Sequence, residues 1–171
     1  MNTILRYCVI LASLALLGCG FHFHNINELP PELHTIYLDC DNPYDTVAVE
    51  LKETLSALKV TLVTSPQKAL YTLHLTKSTS VSTQPSISDI TLATTVSFTQ
   101  TIKASLINNH TKKIILTQPF TESIVQTLNQ NQITTNSTAT LGGQGLPRAL
   151  AADIYVWLIT QQVAHAILPK K

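Results

Sequence analysis

From Ile90 to Leu106 the chain alternates apolar and polar residues, a period-two pattern that an extended strand satisfies and a helix does not. Leu92, Val96, Phe98, Ile102, Ala104 and Leu106 share one parity, while Thr91, Thr95, Thr99 and Lys103 share the other; Thr94 and Gln100 interrupt the apolar side. A strand of that length needs a neighbour. Asn108-Asn109-His110 supplies a tight turn, and Lys112 to Thr127 returns with Ile114, Leu116, Phe120 and Ile124 at even spacing. Pro119 has no N–H to give a ladder, so the returning strand is at a sheet edge there or is bulged. A hairpin with one apolar face must have that face covered.

Two other stretches carry the cover. Between Tyr44 and Leu58, Val47, Leu51, Leu55 and Leu58 recur at helical spacing and form one stripe, with Glu50, Lys52, Glu53 and Lys59 left in water. After Pro147, which suits a first helical turn, Leu150, Ile154, Trp157 and Leu158, then Ala164, Ile167 and Leu168, form a second amphipathic helix that ends at Pro169. His34 to Leu38 reads as a short first strand. Val60 to Val63 brings the chain back, and Leu70 to Lys77 is a second strand on which Tyr71, Leu73 and Leu75 share a face and His74 takes the other. Ser78 to Asp89, broken by Pro85, reads as a long hairpin tip, and Leu128 to Gly145 as an aperiodic loop. The order is β-α-β-β-β-α. It is most simply satisfied by an α+β two-layer sandwich, with two helices on one face of a four-stranded, mostly antiparallel or mixed sheet.

The start of the chain has a different character. Arg6 is the only charge before Cys8 to Leu17, an apolar run of signal-peptide length that stops at Leu16-Leu17-Gly18-Cys19-Gly20. A small residue followed by cysteine at that point resembles the bacterial lipoprotein signal, in which the Cys19 thiol is acylated and becomes the new N-terminus. By the same resemblance Gly20, where no aspartate stands, favours the outer membrane over the inner one. Residues 1–18 are then the signal peptide, 19–31 the lipidated N-terminus and an extended tether ending in Pro30-Pro31, 32–169 a single domain, and 170–171 a short tail. After Leu17 no apolar run is long enough to cross a bilayer as a helix.

Charge and chemistry exclude several classes. Net charge is +1 and only 12% of residues are charged, with no basic stripe interleaved with aromatics, so no nucleic-acid partner is expected. Thr, Ser, Asn and Gln stand where charge would be. Cys8 leaves with the leader and Cys19 carries the anchor, so Cys40 has no disulfide partner; between Asp39 and Asp41 its thiolate is disfavoured, and its role is structural. His22 and His24 share a face of an extended segment, but no second pair at ligand spacing follows, and no metal or other cofactor is expected. Gly142-Gly143-Gln144-Gly145 lacks the Lys-Ser/Thr of a phosphate loop. Gly-x-Ser-x-Gly is absent and Asp153 and Glu122 have no evident partner, so the chain is not expected to be an enzyme.

Cys19-Gly20-Phe21-His22-Phe23, then Leu29-Pro30-Pro31-Glu32-Leu33 leading into Ile36-Tyr37-Leu38-Asp39, then Asn42-Pro43-Tyr44 ahead of Val49-Glu50-Leu51, resembles in order and spacing the LptE family of lipopolysaccharide-assembly lipoproteins. The resemblance implies a protein without chemistry of its own: a plug in the lumen of the outer-membrane β-barrel LptD, needed for that barrel to assemble, held to the membrane through Cys19 and able to contact lipopolysaccharide. Family members are expected to meet that anionic lipid through basic residues in the loops after the second strand and before the last helix. Here the corresponding stretches, Thr79 to Asp89 and Asn129 to Gly145, contain no Lys or Arg. The nearest cations, Lys77 and Arg148, with Lys103, Lys112 and Lys113 on the β-meander, are the remaining candidates for lipopolysaccharide binding. A stand-alone envelope lipoprotein that binds a lipid or peptide ligand is the alternative, and a small envelope hydrolase is a poorly supported third.

Overall fold

A computed structural model describes residues 29–83, 94–128 and 145–167. The leader, Cys19, the tether before Leu29, the proposed tail and most of both long loops lie outside the described residues. Six strands form one mixed sheet: β1 (Thr35–Cys40), β2 (Thr61–Val63), β3 (Tyr71–Leu75), β4 (Thr79–Thr83), β5 (Thr94–Asn108) and β6 (Ile114–Leu128). Three helices accompany it: α1 (Thr46–Ala57), α2 (Leu146–Leu158) and α3 (Gln161–Ile167). The two-layer α+β architecture expected from the apolar stripes is present.

β1 pairs in parallel with β2 on one side and β3 on the other, and β3 runs antiparallel to the Ala104–Asn108 end of β5. β6 pairs along nearly the whole of the other edge of β5, so β4, which faces Ser97–Thr101, must share the first edge with β3. β3 and β4 are thus two halves of one interrupted strand. Leu75 faces Ala104 and Thr79 faces Thr101, which leaves one extra residue on the β3–β4 side, a bulge. Thr76 spans it: its N–H donates to the Lys103 carbonyl at 3.0 Å and its Oγ1 accepts from the Lys103 N–H at 3.1 Å.

The sheet is wider than the apolar patterns alone imply. β2 is three residues long, too short for a period to show, and β4 is Thr-Ser-Val-Ser-Thr with every side chain exposed. Part of the expected hairpin tip is therefore strand, because β-branched threonines beside an existing strand suit a ladder even where nothing apolar is buried. Residues 84–89 of that tip lie outside the described residues. The last helix divides. Ile159 caps α2, and the Thr160 hydroxyl donates to the Trp157 carbonyl at 2.7 Å, a local bond that competes with helix continuation. α3 then resumes, with Val163 and Ile167 buried.

Val47, Leu51 and Leu55 of α1 and Leu150, Ile154 and Leu158 of α2 are all but fully buried against Ile36, Leu73, Leu75, Ile102, Ala104 and Leu106 of the sheet. Trp157 meets Phe120 edge to face, ring centroids 5.8 Å apart. α3 is held down by the Tyr71 hydroxyl, which donates to the Ile167 carbonyl at 3.2 Å. The N-cap of α1 is Asp45, whose Oδ1 accepts the Val47 N–H at 3.0 Å while Oδ2 accepts the Ser78 N–H at 2.8 Å. One carboxylate both starts the helix and pins the bulge.

Opposite the helices, the return from β2 to β3 crosses the sheet near its hairpin-turn end. Asn109 fastens it there: Nδ2 donates to the Pro66 and Ala69 carbonyls, both at 2.9 Å, and Oδ1 accepts the Thr72 hydroxyl at 2.6 Å. Beyond that crossing no described element covers the face. Among the described residues β6 pairs only with β5, so Pro119 lies on an edge strand, one of the two situations that its missing N–H allows. The one register shift in the hairpin is elsewhere, between Leu106 and Ile107.

Candidate functional site

The face of β4, β5 and β6 turned away from the helices follows from register. Inward positions on β5 are Val96, Gln100, Ile102, Ala104 and Leu106, which are buried, and Ser97, Thr99, Thr101, Lys103 and Ser105 take the opposite parity, where Ser105 alone is buried. Three of the five meet hydroxyls across the ladder: Thr99 with Ser123 at 2.9 Å, Thr101 with Thr121 at 3.0 Å, and Ser105 with Thr117 at 3.0 Å; Ser97 faces Val125. Thr79, Val81 and Thr83 extend the same face through β4. Val81 and Val125 are the large apolar side chains on it, 61% and 65% exposed. Lys103, opposite Pro119, is the only charged residue at these outward positions. Cross-strand hydroxyl pairs stabilise each other and leave a flat, neutral surface.

Gln100 interrupts the inward parity and is nevertheless buried, because its Nε2 donates to the Ser78 hydroxyl at 3.1 Å. A buried amide with a partner is tolerated where an unpaired one is not. No sequence period reports such a partner.

The five candidate cations do not form one patch. Lys77 sits in the β3–β4 bulge, its N–H donating to Asp41 Oδ2 at 3.3 Å, and Arg148 opens α2, with Nε 3.4 Å from Glu50 Oε2 and its side chain 79% exposed. Both lie at the end of the sheet where α1 begins. Lys112 and Lys113 are exposed in the β5–β6 turn at the opposite end, and Lys103 is on the bare face between them. Cys19 lies outside the described residues, as do residues 84–89 and 129–144 of the two loops that flank Lys77 and Arg148.

Where β1 ends, carboxylates gather. His74 Nδ1 is 2.9 Å from Asp39 Oδ2, and its Nε2 is 3.7 Å from Asp41 Oδ1. Burial, with Asp39, Asp45 and Asp41 nearby, pushes the Cys40 thiol up to about 11, opposed by Lys52. The structural role expected of Cys40 agrees with that environment. Glu122 and Asp153, which have no evident partner in sequence, are brought together across β6 and α2; a hydrogen bond from Asp153, then burial and the charge of Asp153, raise the Glu122 carboxyl. Strand parity and helix parity each place one of them, and only packing makes them neighbours. Among the described residues no group of three His, Cys, Asp or Glu side chains is arranged to hold a metal, and no helix is long and apolar enough to cross a membrane.

No family model matches the chain. Over 67 residues it is 31% identical to the LPS-assembly lipoprotein LptE of Yersinia enterocolitica, a match covering 39% of this chain and 32% of that protein. The matched stretch thus spans about a third of the relative's length. Among solved structures, the fold is similar to a minor lipoprotein from Acinetobacter baumannii, with TM-score 0.61, 17% identity, and coverage of 74% of this chain and 91% of that one. It is equally similar to the rare lipoprotein B of Shewanella oneidensis, with TM-score 0.61, 14% identity, and coverage of 77% and 98%. A lipoprotein B from Nitrosomonas europaea follows at TM-score 0.58 and 14% identity, covering 85% and 92%. At such identities these structures speak for the fold alone. The chain is thus similar to an LPS-assembly lipoprotein over part of its sequence and to lipoprotein structures in its fold.

Proposed function

We propose that the chain is a lipid-anchored outer-membrane lipoprotein that seats in the lumen of an LptD-type β-barrel, assists its assembly and takes part in lipopolysaccharide transport to the cell surface. The observation that carries this reading is the bare face of β4, β5 and β6. Hydroxyls paired across the strands, with Lys103 as the lone charge, offer a polar barrel wall hydrogen bonds without demanding that ions be stripped of water. The partial sequence match to an LPS-assembly lipoprotein supports the same reading.

Cys19 is the acylation point in this account, and several acyl chains on one sulfur hold a protein where a single chain binds only marginally. Lys77 and Arg148, at one end of the sheet, are the cations placed to meet lipid phosphates during transport; arginine is the better fork for them. Lys112 and Lys113, at the other end, belong to a different contact, and Lys103 faces the wall. The chain acts by occupying space and has no catalytic step.

Depleting the protein and following barrel abundance and surface lipopolysaccharide together tests the central claim. Both fall if it holds. Unchanged barrel assembly, or purification of the chain without a heat-modifiable barrel in stoichiometric amount, favours a stand-alone ligand-binding lipoprotein instead. For the anchor, Cys19→Ala is expected to move the protein out of the membrane fraction, and an unmodified N-terminus elsewhere, read by mass spectrometry, removes that assignment. Labelled lipopolysaccharide retained equally by wild type and by Lys77→Ala plus Arg148→Ala removes those two residues.

A further inference from the structure

β2 covers only half of the outer edge of β1. Its three residues pair with Thr35, Ile36 and Tyr37 and then stop at Val63. The Thr61 N–H donates to the His34 carbonyl at 2.8 Å, so His34 faces β2, whereas the Asp41 N–H donates to the Leu75 carbonyl at 3.0 Å and faces β3. Backbone groups two residues apart in a strand point the same way. Ile36, Leu38 and Cys40 therefore aim their N–H and C=O groups at the β2 side, and past Val63 no described strand lies there to receive them. The Leu38 carbonyl and the Cys40 N–H and carbonyl are left on an open edge.

A groove of about 780 Å³ runs along that edge. Tyr37, Leu38, Asp39 and Cys40 all line it; four consecutive residues of a strand, from both faces, can border one hollow only at the strand's edge. Leu62, Val63 and Thr64 close one end and Pro43 the other, while Ala48, Val49, Lys52, Glu53 and Ser56 of α1 overhang it. Val49 is 44% exposed there. Leu38, Cys40, Ala48, Leu62 and Val63 give it apolar surface, and its charged lining is Asp39 and Glu53 against Lys52, with Asp39 also 2.9 Å from His74 Nδ1, so the lining is acidic on balance.

We propose that this edge is a strand-addition site for an extended segment of a partner protein in which apolar and basic side chains alternate. Backbone hydrogen bonds to Leu38 and Cys40 hold the segment in register, as in other sheet-edge recognition. Its apolar side chains enter beneath Ala48 and Val49, and a lysine or arginine meets Asp39 and its neighbours. The site is independent of the barrel-plug reading, since the groove lies on the opposite edge of the sheet from β6 and shares no residue with the hydroxyl face.

The test uses the purified full-length chain in detergent and an end-capped hexapeptide alternating valine and lysine, with hydrogen exchange read at the Cys40 amide. Peptide at about ten times its Kd is expected to slow that exchange about tenfold, the factor mass action gives for a ligand that must leave first. A peptide alternating valine and glutamate, and the valine-lysine peptide with a central proline, are expected to leave it unchanged. The proposal is overturned if the valine-lysine peptide gives no protection, if all three protect equally, or if the Cys40 amide is already slow in the free chain.

Discussion

Leu106 and Thr99 stand on the same strand and meet opposite surroundings. Leu106 is fully buried between Leu73 and Leu116 beneath the helix layer, where β1, β3 and the near half of β5 interdigitate with α1 and α2. Thr99 points away from the helices and bonds only to Ser123 beside it. The covered surface is closed and apolar and sets stability; the bare one is hydroxylated and neutral and is free to bind. A single hairpin with two parities serves both ends, so changes on the two faces should have separable effects.

The largest difference is expected from cavities. Leu106→Ala should cost about 2–5 kcal/mol, because the fixed helices cannot collapse into the space left, whereas Thr99→Val, half-buried and unchanged in size, should stay within about 0.5 kcal/mol; urea unfolding of both variants reads the contrast. If the two costs were similar, the bare face would be part of the core after all. Thr99→Val paired with Thr101→Val should instead lower recovery of the chain with its barrel, if the proposed seating is right.

Next come the polar fastenings. Asn109→Ala removes three hydrogen bonds and strands two carbonyls at the β2–β3 crossing, at an expected cost of about 1–3 kcal/mol. Asp45→Ala loses the α1 cap and the Ser78 bond at once, at about 1–2 kcal/mol, and should raise amide exchange at Ser78 as well as in the first turn of α1. Unchanged exchange at Ser78 would mean that the bulge is held by Thr76 alone. Lys59, which ends α1 at φ 59°, offers the reverse sign: Lys59→Gly relieves a left-handed backbone at some entropic expense in the unfolded chain, for a net change below about 1 kcal/mol.

The last effect is electrostatic and is felt only at high pH. With the Cys40 thiol at about 11 rather than 9, the folded state holds that proton more tightly than the unfolded one. The associated stability is complete below pH 9 and fades between pH 9 and 11. Thiolate absorbance of the folded chain should rise in that upper range. A Cys40 that alkylates at neutral pH as fast as a free cysteine would show the groove to be more open, and less acidic, than the geometry indicates.

Much of the covered half was legible in the chain. Period two from Val96 to Leu106, helical spacing of Val47, Leu51 and Leu55, and the prolines at 119 and 147 each reflect a local steric rule that holds in any fold. β2 and β4 were not legible, the first too short to show a period and the second without an apolar residue to bury inward. The division between α2 and α3 rests on one hydroxyl, Thr160, which is equally compatible with an uninterrupted helix in sequence. Of the candidate cations, sequence spacing could say that Lys77 and Arg148 flank the loops but not that both gather where α1 begins while Lys112 and Lys113 lie at the far end.

By itself, then, the order of residues determined which faces had to be buried, since hydrophobic periodicity needs no knowledge of what does the burying. Tertiary structure alone decided which polar groups meet: Asp45 with Ser78, Gln100 with Ser78, Asn109 with the crossing strand, Glu122 with Asp153. Such contacts join segments far apart in the chain through directional bonds, and nothing in either segment records the other. The open edge at Leu38 and Cys40 belongs to the same class, because a strand becomes an edge only when its neighbour stops short.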